Sequence, residues 1–109
     1  MKKPDSLQGS LDLLVLKILS RRPRTHGYGI MAAVKEASDD LLRIEEGSLY
    51  PALYRMEEAG WIQAEWVKKD TGRRARVYEL TADGMKQLGM EESRWLQATA
   101  AINQVLRTV

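Results

Sequence analysis

The chain has 109 residues, of which 44% are hydrophobic and 29% are charged, and its formal net charge is +2 at pH 7. This length is typical of one folded domain, and the composition excludes a disordered or fibrous chain. Cysteine is absent and histidine occurs once, which excludes a disulfide framework and provides too few ligands for a metal site. No apolar run approaches the 18 or so residues of a membrane span, so we expect a cytoplasmic protein without a membrane partner or a cofactor.

The positive charge is concentrated in one segment. Between residues 68 and 76 there are five cations and one acid, a net charge of +4, whereas the other hundred residues carry −2. A local basic cluster on a nearly neutral body predicts a docking face for a polyanion such as nucleic acid. We call these side chains the wing cations: Lys68, Lys69, Arg73, Arg74 and Arg76.

Two helices are predicted in the first 40 residues. Residues 7–20 are apolar on almost every side of a helix, so they must be covered both by the protein's own core and by a second subunit. We therefore expect Leu11, Leu14 and Val15 to lie in a dimer interface. Residues 27–38 form a weaker helix that either Thr25 or His26 could cap.

A third helix is predicted to begin at Gly47 or Ser48 and to end at Ala59-Gly60. Ser48 is the expected N-cap, and Gly60 suits the left-handed position that stops many helices. Three apolar positions form its inward stripe, which leaves Tyr50, Tyr54 and Arg55 on other faces.

The period of the pattern then changes from 3.6 to 2, which predicts a β-hairpin. Residues 61–69 and 75–81 alternate as strands, and residues 69–72 form a tip whose Asp70 and Gly72 suit a turn.

A last helix is predicted from about Ala82 to Leu106, capped by Thr81. Its seven-residue repeat has no partner within so small a domain, so we interpret it as a dimerisation helix. The interface residues expected here are Leu88, Trp95, Thr99, Ile102 and Leu106. Residues 1–81 and 82–109 would then be a DNA-binding part and a dimerisation part of one structural unit.

Three helices followed by a hairpin is the order of a winged helix-turn-helix, so the predicted fold class is mainly α with a small β-hairpin and a long C-terminal helix. In this fold the third helix enters the major groove, and Ser48, Tyr50, Tyr54 and Arg55 would contact DNA together with the wing cations. Two alternatives stay open: the tyrosines pack on the second helix, and the wing cations only discourage edge-to-edge aggregation.

Five segments in this order resemble the motifs of PadR-family transcriptional regulators. They are residues 7–12 (LQGSLD), 26–30 (HGYGI), 47–53 (GSLYPAL), 58–62 (EAGWI) and 72–81 (GRRARVYELT). The single C-terminal helix resembles the family's short subgroup. Gly29 departs from the family pattern, which often has an acidic residue there.

The resemblance implies a homodimer that binds a pseudo-palindromic operator, represses a neighbouring gene and, in many members, releases DNA on binding a small aromatic effector. His26 and Tyr28, at the entry to the second helix, are also among the residues expected to contact DNA. Trp95 has two interpretations, an effector contact or an interface anchor, and we prefer the anchor because tryptophan is common in interface cores.

Other classes of function fit the residue inventory less well. An enzyme such as a small hydrolase would need a carboxylate pair, a Ser-His-Asp set or a Gly-rich phosphate loop. The chain either lacks the residues for these sites or places them on outward helix faces, so it is not predicted to be an enzyme. The main alternative is a winged-helix module that dimerises and binds protein instead of DNA.

Overall fold

The computed structural model describes the backbone of residues 5–109 and the side chains of residues 10–109. Along the chain the elements are α1 (Asp5–Arg21), β1 (Thr25–His26), α2 (Gly27–Ala37), α3 (Glu46–Glu58), β2 (Ile62–Lys68), β3 (Arg74–Leu80) and α4 (Ala82–Thr108). The predicted order and the winged-helix fold class are confirmed, with β1 as an additional strand. In the first of the five motifs, the side chains of residues 7–9 lie outside the described residues.

The first three helices enclose the core. Side chains of α1, α2 and α3 meet there with Ile62 of β2, Tyr78 of β3 and Leu88 of α4. Burying each large aliphatic side chain contributes roughly 1.5–3 kcal/mol, so this cluster fixes how α3 sits against α1 and α2. The predicted inward stripe of α3 is confirmed, because Leu49, Leu53 and Met56 are all buried.

Three residues that were predicted from the sequence to lie in a dimer interface belong to this core instead. Val15 has no exposed surface, and Leu11 and Leu88 are buried as well. A side chain enclosed by its own subunit has no area left for a partner, so the interface assignment of these three residues was wrong. Leu14 is half-buried and packs against the core cluster.

The start of α3 also differs from the prediction. The helix begins at Glu46, and Glu45 is its N-cap residue. The backbone N–H groups of Ser48 and Leu49 both donate to the Glu45 carbonyl, at 3.0 and 2.9 Å. Ser48 therefore lies in the first turn, and its prediction as N-cap was wrong.

The sheet is antiparallel, with β3 between β1 and β2. We call β2, β3 and the intervening tip the wing. At the tip, the Gly72 N–H donates to the Lys69 carbonyl at 2.9 Å and the Lys69 N–H donates to the Arg73 carbonyl at 2.7 Å. Gly72 has a φ of +86°, a left-handed conformation that glycine adopts without steric cost.

The last helix, α4, begins on the core and continues past it. The Thr81 hydroxyl accepts a hydrogen bond from the Gly84 N–H at 3.0 Å, which confirms the predicted cap. From Ser93 onward most side chains of α4 are exposed. Within residues 5–109, no helix combines the length and the apolar composition needed to cross a membrane.

Candidate nucleic-acid interface

The exposed side of α3 carries the two tyrosines that its sequence pattern placed outside the core. Tyr50 is 41% exposed and Tyr54 is 66% exposed, and Ser48 is exposed in the first turn. Positions 50, 54 and 57 are spaced i, i+4 and i+7, so they lie on one face of the helix. We call Tyr50, Tyr54 and Glu57 the tyrosine face of α3.

Tyr50 is oriented by the absence of a side chain at Gly27. A Cβ atom at Gly27 would lie 2.3 Å from the Tyr50 hydroxyl oxygen, well inside van der Waals contact. The Tyr50 ring therefore crosses the first turn of α2 in space that only glycine leaves open. Tyr50 therefore packs on α2, which is one of the two interpretations that the sequence left open, and it also keeps an exposed edge.

His26 and Tyr28 lie at the start of α2, next to the beginning of α3. The His26 Nδ1 atom accepts from the Gly29 N–H at 3.0 Å, so His26 is the cap of α2 and its Nε2 atom is left for another contact. The Tyr28 hydroxyl donates to the Glu46 carboxylate at 2.7 Å. This hydrogen bond raises the pKa of Tyr28, which keeps the hydroxyl protonated.

One face of the wing continues from the core to the basic tip. In the strand register Ile62 is opposite Leu80, Trp66 is opposite Arg76, and Lys68 is opposite Arg74. Alternate residues of a strand share a face, so the buried end of this face leads directly to its cations.

An ion pair joins this wing face to α3. The Arg76 guanidinium donates to the Glu57 carboxylate at 2.8 Å. Because Glu57 belongs to the tyrosine face, the wing and the two tyrosines lie on the same side of the molecule. A single elongated ligand could therefore contact both.

Most wing cations have no carboxylate partner. Among the side chains of residues 10–109, Lys68, Lys69, Arg73 and Arg74 form no ion pair, and Arg74 lies over the Trp66 ring. The helix α3, by contrast, carries three glutamates and one arginine. The positive potential of this side therefore comes from the wing, while α3 contributes hydroxyl groups and aromatic edges.

Arg55, which the sequence predicts to contact DNA, is paired with an acid of α1. Its two terminal nitrogens donate to the two Asp12 carboxylate oxygens of α1 at 2.7 and 2.8 Å. This hydrogen bonding raises the pKa of Arg55 above its ordinary value. One residue corresponds to roughly 100° of helix rotation, so Arg55 lies beside the tyrosine face on the flank toward α1.

The second half of α4 presents an exposed apolar surface. Trp95 is 46% exposed, Ile102 and Leu106 are more exposed, and Thr99 is half-buried. Sequence reasoning missed Leu96 and Val105, which are also exposed on this helix. They fall outside the heptad positions, which is why the repeat did not indicate them.

Sequence reasoning also missed three residues that organise the tyrosine face, its α1 flank and the wing: Asp12, Glu57 and Trp66. The two acids pair with arginines that are distant in sequence, and no local pattern marks such pairs. Trp66 could have been found, because counting back from the tip places it opposite Arg76 in a hairpin register.

Comparison with known proteins supports the interpretation of this geometry. Residues 15–90 match the sequence model of the transcriptional regulator PadR-like family. The fold is similar to that of a transcriptional regulator from Clostridium thermocellum, with 27% identity over 93% of this chain and 97% of that chain and a TM-score of 0.85. A PadR family transcriptional regulator from Eggerthella lenta is 30% identical over 96% of this chain and 88% of that chain, with a TM-score of 0.78. A transcriptional regulator from Thermoplasma acidophilum is 29% identical over 97% and 99% of the two chains, with a TM-score of 0.81.

Proposed function

Because the chain belongs to the PadR-like family of transcriptional regulators, which bind DNA and are not enzymes, we propose that it is a homodimeric repressor that binds operator DNA through α3 and the wing. The observation that carries the proposal is the juxtaposition of unpaired wing cations and the tyrosine face, joined by the ion pair between Arg76 and Glu57.

In the proposed complex α3 lies in the major groove with its first turns closest to the bases. The hydroxyls of Ser48, Tyr50 and Tyr54 are short polar groups that can donate to base edges or to phosphate oxygens. Arg55 is left out of this contact set, because its bidentate pair with Asp12 holds the guanidinium on the α1 flank. His26 and Tyr28 extend the surface at the start of α2, with His26 Nε2 positioned for a phosphate.

The wing supplies affinity in this proposal. Each phosphate neutralised by a lysine or arginine releases counterions, so the wing cations should dominate the salt dependence of binding. Arg73 at the tip and its neighbour Arg74 are the two arginines that carry no carboxylate partner among the described side chains of the wing, and we expect them to matter most.

Two copies of the chain would pair through the apolar surface of α4. A large exposed apolar surface on a small protein marks an interaction site, and here Trp95, Ile102 and Leu106 lie along one helix. A two-fold dimer presents two α3 helices to successive major grooves roughly 34 Å apart, which fits a pseudo-palindromic operator. Because the protein would act on operator DNA, we propose that it is located in the cytoplasm.

Regulation by a small aromatic effector would act through the same helices. A ligand that binds one arrangement of the two α4 helices better than another shifts the distance between the α3 helices and so releases DNA. We assign Trp95 first to the dimer contact, because its exposed ring lies on the surface of α4.

The experiment that tests the proposal is a titration of a labelled duplex carrying the DNA upstream of the chain's own coding sequence. The variant R73A/R74A should bind at least about tenfold more weakly than the wild type, and its salt slope should fall by about 0.9 for each phosphate that the variant no longer neutralises. The matched control is K86A/R107A, which removes the same formal charge from exposed positions of α4.

Three outcomes separate the proposal from its alternatives. Loss of affinity in the wing variant alone supports DNA binding by the wing. Equal losses in both variants would mean that only net charge matters, which would refute a defined interface. Wild-type protein that dimerises but binds no duplex at low salt would favour a protein-interaction module.

A further inference from the structure

The wing carries an exposed tryptophan beside its cations. Trp66 is 54% exposed, although it lies on the wing face whose other end is buried in the core. The Cζ atoms of Arg74 and Arg76 lie 5.2 and 5.5 Å from the centroid of its ring. We propose that Trp66 is a positioning residue that holds both guanidinium groups for contact with DNA phosphates, an inference that rests on the proposed function.

The strand register explains why one ring reaches two arginines. Trp66 is directly opposite Arg76, and Arg74 is two residues further toward the tip on the same face. Directly opposite and diagonal neighbours across an antiparallel pair are both within reach of an aromatic side chain. The backbone of the wing therefore sets this contact before any ligand is bound.

Stacking on a ring prepares an arginine for a phosphate in a way that an ion pair does not. The N–H donors of a guanidinium lie in its plane, and a cation–π contact with a ring occupies none of them with a hydrogen-bond acceptor, so the donors stay available. A carboxylate partner would also order the side chain, but it would occupy those donors. Arg74 has the ring alone among described side chains, so all of its donors are available.

Ordering an arginine in advance increases affinity because binding then costs less side-chain entropy. Arg76 is held twice, by the Trp66 ring and by Glu57, which fixes it between the wing and α3. The ligand that fits this arrangement is the phosphodiester backbone of duplex DNA, since bidentate donors from a planar guanidinium match phosphate oxygens.

The test compares Trp66→Ala with Trp66→Phe in titrations of a labelled duplex of generic sequence, because phosphate contacts do not depend on sequence. We expect Trp66→Ala to bind about tenfold more weakly, and Trp66→Phe to stay within about threefold of the wild type because it keeps an aromatic face. Thermal unfolding of the same samples measures whether the hairpin remains folded.

A double-mutant cycle separates positioning from direct DNA contact. With Arg74 and Arg76 both replaced by alanine, Trp66→Ala should change the affinity by less than about twofold, because the ring has nothing left to position. An equal loss in both backgrounds would overturn the proposal, and so would wild-type affinity in Trp66→Ala.

If Trp66→Ala does not fold, R74K/R76K replaces it in the test. Lysine keeps the charge but lacks the planar face, so the same duplex should bind about tenfold more weakly, and unchanged affinity would overturn the proposal. A wild-type protein that binds no duplex at low salt would refute the proposed function as well. A wild-type protein that binds, with no effect of Trp66, would refute only the positioning role.

Discussion

Single side chains around α3 owe their directions to a few long-range neighbours. Tyr50 lies over Gly27, Tyr28 donates to Glu46, and Arg55 donates to Asp12. The exposed tyrosines were predictable from the sequence, since the buried positions of α3 leave them outside. Their partners were not, because sequence spacing within one helix carries no information about a residue on another helix.

The close approach at Gly27 gives a prediction at this scale. Gly27→Ala should push the Tyr50 ring out of its position without unfolding the protein, because the clash involves the far end of a movable side chain. Removing one well-placed hydroxyl hydrogen bond costs about 1 kcal/mol, so we expect a five- to tenfold weaker affinity for the upstream duplex. In a Tyr50→Ala background the same change should add less than about twofold, and a full additional loss of affinity would show that Tyr50 is not what Gly27 orients.

At the scale of elements, the periodicity of the sequence predicted the order of helices and strands. The predicted boundaries lie close to the observed ones. The strands at residues 61–69 and 75–81 appear as Ile62–Lys68 and Arg74–Leu80. The two-residue strand β1 was missed, because so short a segment has no period to detect. Ser48 was chosen as the N-cap on residue preference, whereas the N-cap residue is Glu45, three residues earlier.

The contact between α1 and α3 gives the prediction at this scale. Arg55→Ala removes a bidentate pair with Asp12 that is partly exposed, so the free energy of unfolding should fall by about 0.5–1 kcal/mol. The affinity for the upstream duplex should change by less than about threefold, because Arg55 faces α1. Urea unfolding and duplex titration measure the two effects. Unchanged stability with a tenfold loss of affinity would restore Arg55 as a DNA contact.

The whole molecule is elongated, with extents of 58 × 30 × 23 Å, because α4 extends beyond the core. The heptad repeat indicated that α4 needs a partner, yet it could not separate the two halves of the helix. Leu88 near the start packs into the core, whereas Trp95 and most residues after it remain outside. Only packing decides at which turn a helix leaves its own subunit.

Self-association is the prediction that follows from this shape. Trp95→Ala should weaken the dimer by at least about thirtyfold, since a buried interface tryptophan commonly contributes 2 kcal/mol or more. Sedimentation velocity over a range of concentrations measures the dimer constant, with Trp66→Ala as the control that should leave it unchanged. A wild-type chain that sediments as a monomer at micromolar concentration would refute the proposed role of α4.

The tyrosine face of α3 and the wing are proposed to form one DNA-binding surface, and the proposed operator binding depends on this. Backbone amide chemical shifts of the labelled protein, recorded with and without a short duplex of the upstream DNA, test it residue by residue. We expect the largest changes at residues 47–54 and 68–76, with small changes along the second half of α4. Changes confined to α4, or present in the wing but absent from the first turns of α3, would contradict a shared surface.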